Sequence, residues 1–210
     1  MIFKNYYWYF QSVLSPKFCD DLIEYGKNKN STEGITGEFI PKKEVGKKLT
    51  KKDLLNLKKK RDSNVAWLND PWIYNEIHPY VHAANKSAGW NFDWDWSESC
   101  QFTKYNKNQF YDWHCDSFQE PFNSKDKNLH GKIRKLSVTC SLSDPKDYSG
   151  GELEFQFRDN QNPNKTRICK EILPRGSIVV FPSHVWHRVK PIKKGTRYSL
   201  VVWNLGFPFR

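Results

Sequence analysis

The chain has 210 residues, a formal net charge of +11, 38% hydrophobic and 16% aromatic residues, and five cysteines. That length suits one well-packed domain, and no run of eighteen apolar residues indicates a membrane-spanning helix. The cysteines (Cys19, Cys100, Cys115, Cys140 and Cys169) are odd in number, scattered and never spaced as CxxC. They argue against a disulfide framework and a zinc knuckle, and fit a reducing compartment, the cytoplasm.

In chain order, MIFKNYYWYFQSVL mixes aromatic and polar residues without a basic leader or a clean apolar core, and does not read as a signal peptide. SPKFCDDLIEYGKN predicts a helix, with Ser15 as cap, Pro16 at the first helical position and Gly26 as a stop. Lys42 to Arg61 then carries ten basic residues against Glu44 and Asp53 alone, so most of the surplus charge is local. Such a run reads either as a solvated loop or as an anion-seeking flap. A second helix is expected after Asp70, through DPWIYNEIHPYVHAANKSAG, with Pro79 predicting a kink or break.

Beyond Gly89 the period changes. NFDWDWSE alternates Phe92, Trp94 and Trp96 with polar residues and predicts a half-buried strand. Strand-like runs follow at SCQFTKY, QFYDWHC, RKLSVTCSLS, GELEFQF, TRICKEIL, SIVVFP, VWHRVKPI and RYSLVVWNL. Turn signals such as DPKDYSGG, LPRGS and KKGT separate them. Residues 118–132 are polar and predict a surface loop. The expectation is one mostly β domain over 1–210, a sandwich or jelly roll over about 91–207 buttressed by helices within 1–90.

Of six histidines, His78 and His82 are four apart on the second helix, but no glutamate lies between them as in HExxH. His130 falls in the polar loop. His114 and Asp116 flank Cys115, and on a strand residues two apart share a face. His187 follows a strand and lies ten residues before Arg197; the turn between them predicts neighbouring antiparallel strands that bring the two together. His184, three residues from His187, would face elsewhere. Two histidines and a carboxylate on one face of a metal are the ligand set of non-haem iron(II) oxygenases.

HCD at 114–116, SGGELEF at 149–155, RGSIVVFPSHVWHRV at 175–189 and RYS at 197–199 together resemble the 2-oxoglutarate/iron(II) dioxygenases, in particular the oxygen-sensing prolyl hydroxylases. The resemblance is close over about 99–205 and looser across the first helices and RDSNVAWL at 61–68. It implies a double-stranded β-helix (jelly-roll, cupin-like) core, and His114, Asp116 and His187 as ligands of Fe(II). Arg197 would grip the distal carboxylate of 2-oxoglutarate, with Ser199 and Tyr105 beside it and O2 as second cosubstrate; ascorbate is an accessory reductant of such enzymes. Arg61 and Trp203 would meet substrate. The implied reaction is hydroxylation of a prolyl or other residue of a protein or peptide, releasing succinate and CO2. The basic stretch would form a flap favouring an acidic partner. Two alternatives stand beside it. One is a nucleic-acid oxidative demethylase, with Trp90, Trp94 and Trp96 stacking bases; the other is a free amino-acid hydroxylase.

Overall fold

The computed structural model describes residues 5–34, 50–117, 120–157 and 164–209; the first part of the basic stretch, from Lys42 to Lys48, lies outside the described residues. A short strand β1 (Trp8–Phe10) leads into helix α1 (Pro16–Lys27), where Ser15 Oγ accepts the Phe18 N–H at 3.1 Å. Gly26 does not stop this helix, which runs on to Lys27 and caps at Asn28. It is glycine for closeness: a Cβ there would stand 2.5 Å from the Phe102 ring.

β2 (Thr32–Glu33) is followed by α2 (Lys51–Lys58), which sequence pattern alone did not reveal because no apolar stripe runs through it. A reciprocal capping box starts it: Asp53 N–H donates to Thr50 Oγ1 and Thr50 N–H to Asp53 Oδ2. β3 (Arg61–Asp62) and β4 (Asn64–Leu68) come next, then α3 (Pro71–Ser87). The kink or break expected at Pro79 does not interrupt α3. Pro79 is exposed, so the Asn75 carbonyl that loses its helical donor faces water, while Ile73, Ile77, Val81 and Ala84 are fully buried on the other side.

The remaining strands are β5 (Trp96–Ser97), β6 (Cys100–Tyr105), β7 (Phe110–His114), β8 (Ile133–Ser141), β9 (Tyr148–Gly150), β10 (Leu153–Gln156), β11 (Thr166–Ile168), β12 (Ile178–Pro182), β13 (Trp186–Val189), β14 (Ile192–Gly195) and β15 (Arg197–Gly206). The strand expected across NFDWDW is reduced to β5. Phe92 exchanges two backbone hydrogen bonds, each 2.9 Å, with the Asn85 side chain of α3. The alternation therefore reflects one-sided packing on α3 rather than ladder pairing.

The major sheet runs β1-β12-β8-β15-β6-β4-β2, with β5 also on β15; the minor sheet runs β11-β10-β13-β7-β3, and β14 pairs with β9. One face of the major sheet (Phe102, Leu136, Val138, Cys140, Ile178, Val180, Leu200, Val202) packs against α1 and α3 in the main apolar cluster. Its other face is buried but polar. Cross-strand register aligns Tyr105 with Arg197, Thr103 with Ser199, Ser199 with Ser141, and Val201 with both Gln101 and Thr139. That face looks across to the minor sheet, where Phe155 and His187 stand opposite one another on β10 and β13. Phe181 bridges the gap, its ring 4.7 Å from the His187 ring. Two sheets enclosing a polar lumen, with helices on the outer face of one, make the mostly β jelly roll (double-stranded β-helix) that was expected.

β13 and β15 are not the neighbours expected. The run between them forms β14, which pairs away with β9, so His187 and Arg197 end on different sheets and face the lumen from two sides. β9 falls within the run DPKDYSGG read as a turn, and β14 runs from the end of the strand-like VWHRVKPI into the turn signal KKGT. Gly195, at φ +74°, has room for no Cβ because the Asp147 carbonyl occupies that place.

Candidate metal centre

Asp116 does not share a strand with His114. β7 ends at His114, and the chain bends so that the N–H groups of Asp116 and Ser117 both donate to the Ser183 carbonyl, at 2.9 and 3.0 Å. This anchor to the end of β12 brings the carboxylate back under the two imidazoles. His114 and His187 face each other across the β7–β13 pair, their ring centroids 4.1 Å apart.

Both imidazoles are fixed in orientation and in tautomer. His114 Nδ1 lies 2.8 Å from the Asp112 carbonyl and His187 Nδ1 lies 3.0 Å from the Val185 carbonyl. A carbonyl only accepts, so each Nδ1 carries the proton and each Nε2 presents a lone pair. The two Nε2 atoms converge on Asp116, 3.7 Å from Oδ1 and 3.7 Å from Oδ2 respectively. One ligand atom from each of His114, Asp116 and His187 lies within 4.8 Å of the others, and this is the one such cluster among the described residues. All three are buried, and Asp116 Oδ2 has no hydrogen-bond partner among the described residues.

The charges suit a cation between them. Burial foremost, then His187, keeps the His114 imidazole well below its ordinary value, hence neutral and able to ligate. Burial pushes the Asp116 carboxyl up, but His187, His114 and Arg134 outweigh it and hold the group below the usual carboxylate range. A buried carboxylate with an orphan oxygen beneath two inward lone pairs is an incomplete site, which a divalent metal would complete. The donor set of two imidazoles and one carboxylate fits Fe(II) and leaves positions open.

The other expected residues gather around the same lumen. Arg197 is 2% exposed; its Nη1 donates to Ser199 Oγ at 3.3 Å, and its guanidinium lies 5.7 Å from the Tyr105 ring centre across the β6–β15 register. Among the described residues no carboxylate pairs with it. Arg61, 4% exposed, lies 4.5 Å over the Tyr111 ring, which stacks on His114 with centroids 3.4 Å apart. Its Nε donates to Ser63 Oγ at 2.9 Å, whereas Nη2 is buried without an acceptor among the described residues. Trp203 Nε1 is likewise buried without an acceptor among them, and the Arg134 guanidinium covers its ring at 3.9 Å.

Sequence reading passed over Arg134, Glu98 and Tyr111. Arg134 donates to both Glu98 carboxylate oxygens, at 2.5 and 2.7 Å, and to the Asp116 carbonyl at 3.4 Å. No local signal marks these residues, because 36 positions separate Arg134 from Glu98. The histidines set aside do lie elsewhere. His78 Nε2 meets Ser97 Oγ at 3.0 Å, His82 stacks on Trp94, and His130 and His184 are exposed.

A jelly roll with two imidazoles and a carboxylate at its lumen defines an iron(II) oxygenase class. A family model described as the 2OG-Fe(II) oxygenase superfamily matches residues 100–204. A PKHD-type hydroxylase of Synechococcus sp. (strain CC9902) is 43% identical over 94 residues, covering 44% of this chain and 35% of that one. The chain thus spans about a third of the length of such curated relatives. Among solved structures, the viral collagen prolyl hydroxylase of Paramecium bursaria Chlorella virus-1, as its 2OG complex, superposes with a TM-score of 0.62 at 19% identity over 97% of both chains. A prolyl hydroxylase from Trichoplax adhaerens, in complex with a hypoxia inducible factor peptide fragment, gives 0.59 at 17% identity, over 96% of this chain and 84% of that one. These two show likeness of fold. The chain belongs to the 2OG-Fe(II) oxygenase superfamily, whose members use Fe(II), 2-oxoglutarate and O2.

Proposed function

We propose that this chain is a single-domain prolyl hydroxylase acting on a protein or peptide, with His114, Asp116 and His187 as the Fe(II) ligands. The observation that carries the reading is Arg197, a lumen guanidinium that meets no carboxylate among the described residues. Such a group is costly to bury alone, and it has the planar fork that grips a carboxylate through two charge-assisted bonds. 2-Oxoglutarate has a free distal carboxylate to supply. Ser199 would donate a further bond, and Tyr105 would close the far wall.

When bound, Fe(II) with 2-oxoglutarate supplies the oxidising power, consuming O2 and releasing succinate and CO2 as one oxygen atom enters the substrate C–H bond. The chain's own residues position and enclose. The Asp112 and Val185 carbonyls hold both Nδ1 protons, so the Nε2 lone pairs stay aimed inward. The aliphatic and aromatic wall of Phe155, Phe181 and Val189 keeps water from the His187 side. Arg61 and Trp203 each bury one donor without an acceptor among the described residues. Both suit peptide carbonyls flanking the reacting residue, and the Arg61–Tyr111–His114 stack ties that contact to a metal ligand. The PKHD-type relatives and the prolyl hydroxylase structures support the prolyl choice.

The basic segment favours acidic residues in the substrate. Lys52 and Lys59 are exposed on α2 and just after it, one short turn ahead of Arg61. Reversing Lys52 and Lys59 to glutamate should raise the apparent KM for an acidic peptide, and less so at high salt, with the 2-oxoglutarate constant unchanged. An unchanged peptide KM refutes the acidic preference.

The test of the main reading is anaerobic titration with Fe(II) and 2-oxoglutarate, watching for the metal-to-ligand absorption band. It should be followed by mass spectrometry of peptides for the gain of one oxygen. No band with intact protein refutes it. Stimulation of turnover by ascorbate, and a cytoplasmic location, belong to the same proposal.

A further inference from the structure

One cavity lies away from the metal residues. It is an open groove of about 960 Å³ along α3, lined by Trp67, Tyr74, His78, Trp94, Trp96 and Glu98. Nothing in the oxygenase chemistry uses it. Yet Trp67 is 51% exposed and Trp96 is 41% exposed, which is apolar surface that a partner would cover.

Two features identify the occupant. The first is charge. In a chain of net charge +11, no lysine or arginine among the described residues lines this groove. Its acids are already engaged: Asp95 with Lys132 at 2.7 Å, Glu98 with Arg134, and Asp126 with the Asn128 N–H at 2.9 Å. His78 is held neutral by burial and by neighbouring His82. A base-stacking strand would bring a phosphate with every base and meet carboxylates in the lining, with Lys132 and Arg134 already paired to them, which disfavours nucleic acid. A neutral chain carrying flat-sided apolar rings fits.

The second feature is continuity. Glu98 lines the groove and also holds Arg134, which caps Trp203 and donates to the Asp116 carbonyl. Trp67, also in the groove wall, stands 6.1 Å from Trp203. One chain of contacts therefore runs from the groove to the backbone of Asp116.

We propose that this groove docks a proline-rich stretch, in the polyproline II conformation, that flanks the reacting residue of the substrate polypeptide. This rests on the prolyl-peptide reading above and adds a recognition site to it. Polyproline II has no internal hydrogen bonds and is preformed, so it loses little entropy on binding. Proline rings pack on aromatic planes, as in other aromatic-lined grooves that read such segments. The carbonyls that no internal bond satisfies meet the amide side chains of Asn69 and Asn75 on the rim.

The test compares two acceptor peptides, a tripeptide with one central proline and the same tripeptide extended by a proline-rich tail. It also measures binding of plain oligoproline by quenching of tryptophan fluorescence, which needs no turnover. In the wild-type enzyme the extended peptide should have the higher kcat/KM, through a lower KM. Trp96→Ala should erase most of that advantage, about ten-fold for one well-packed aromatic anchor, and weaken oligoproline binding in parallel. Tyr9→Ala, an equally exposed aromatic on β1 outside the groove, should leave the advantage intact. Equal kcat/KM for the two peptides, or proportional losses on both in Trp96→Ala, would overturn the proposal. Oligoproline bound through Trp96 without hydroxylation of either peptide would retain the groove and refute the prolyl reaction. An oligonucleotide that competes for the groove would show the occupant to be wrong.

Discussion

Replacing Arg197 by methionine separates a ligand-binding arginine from a structural one, because the two roles move two measurements in opposite ways. In the free protein the guanidinium is 2% exposed and meets Ser199 Oγ at 3.3 Å, with no carboxylate among the described residues. Methionine removes that one bond but also removes an uncompensated buried charge, while its thioether fills much of the same channel. Exchanges of this kind are about neutral for stability. The apoprotein should therefore melt within about 3 °C of wild type, the scale of one kcal/mol in a chain of this size.

The ligand-bound state should change far more. Losing a two-pronged charge-assisted grip costs about 3–5 kcal/mol, or roughly two to three and a half orders of magnitude in 2-oxoglutarate affinity. With 2-oxoglutarate at a hundred times its dissociation constant, the Fe(II) wild-type protein gains about 2.7 kcal/mol. That corresponds to about 5–10 °C in Tm. At the same concentration the variant should gain under about 2 °C. Anaerobic thermal melts with and without 2-oxoglutarate make the measurement. A variant whose apoprotein loses more than about 10 °C, while its 2-oxoglutarate shift survives, would refute the assignment and make Arg197 a structural residue.

Gly151 stands at φ +67°, and a Cβ there would clash with Ile192 Cδ1 and come within 3.1 Å of Arg197 Cδ. Gly151→Ala should cost about 1 kcal/mol in stability and weaken 2-oxoglutarate binding with it, read in the same melts; normal 2-oxoglutarate affinity would refute the coupling. His187→Ala should abolish the metal-to-ligand band and turnover, whereas His184→Ala should leave both largely intact; equal loss in the two would show the wrong histidine to be chosen. In the metal-free protein, burial holds the His114 imidazole well below its ordinary value, and burial lowers His78 likewise. The unfolded chain regains the ordinary value near 6.5, so acid favours the unfolded state. Stability is then full above that value and declines as the pH falls below it, by up to about 1.4 kcal/mol per pH unit for each such group. Apoprotein Tm unchanged from about pH 7.5 to 5.5 would contradict it.

How much of this was legible depends on whether a residue's partner is local or distant. α1 was readable because Ser15, Pro16 and the Cys19–Leu22 face are one short signal, and α3 because its buried stripe repeats every three or four residues. The strand count was readable from turn chemistry. Pairing across sheets was not: the 188–196 run looks like a simple hairpin turn, and only the register of β14 against β9 separates His187 from Arg197. The HxD spacing suggested a shared strand face, while the actual cause of convergence is the Ser183 carbonyl, sixty-seven positions downstream of Asp116. Arg134 was missed for the same reason, since Glu98 and Trp203 reach it from elsewhere in the chain.

The sequence did carry one wider message about the site. In β8 the apolar row Leu136, Val138, Cys140 alternates with Ser137, Thr139, Ser141, and in β15 Leu200 and Val202 alternate with Arg197, Ser199 and Trp203. Alternation normally marks one face in the core and one in water. Here both faces are closed off: Ser137, Ser141, Ser199 and Arg197 are each at most 2% exposed. Polar rows buried on both strands need partners, and Ser137 finds one in Ser183 Oγ at 2.9 Å while Ser199 accepts from Arg197. What meets no carboxylate among the described residues is the Arg197 guanidinium, and a small anionic ligand in the lumen is the arrangement that balances it. The arginine of the major sheet thus calls for the ligand, and the two imidazoles of the minor sheet call for its metal.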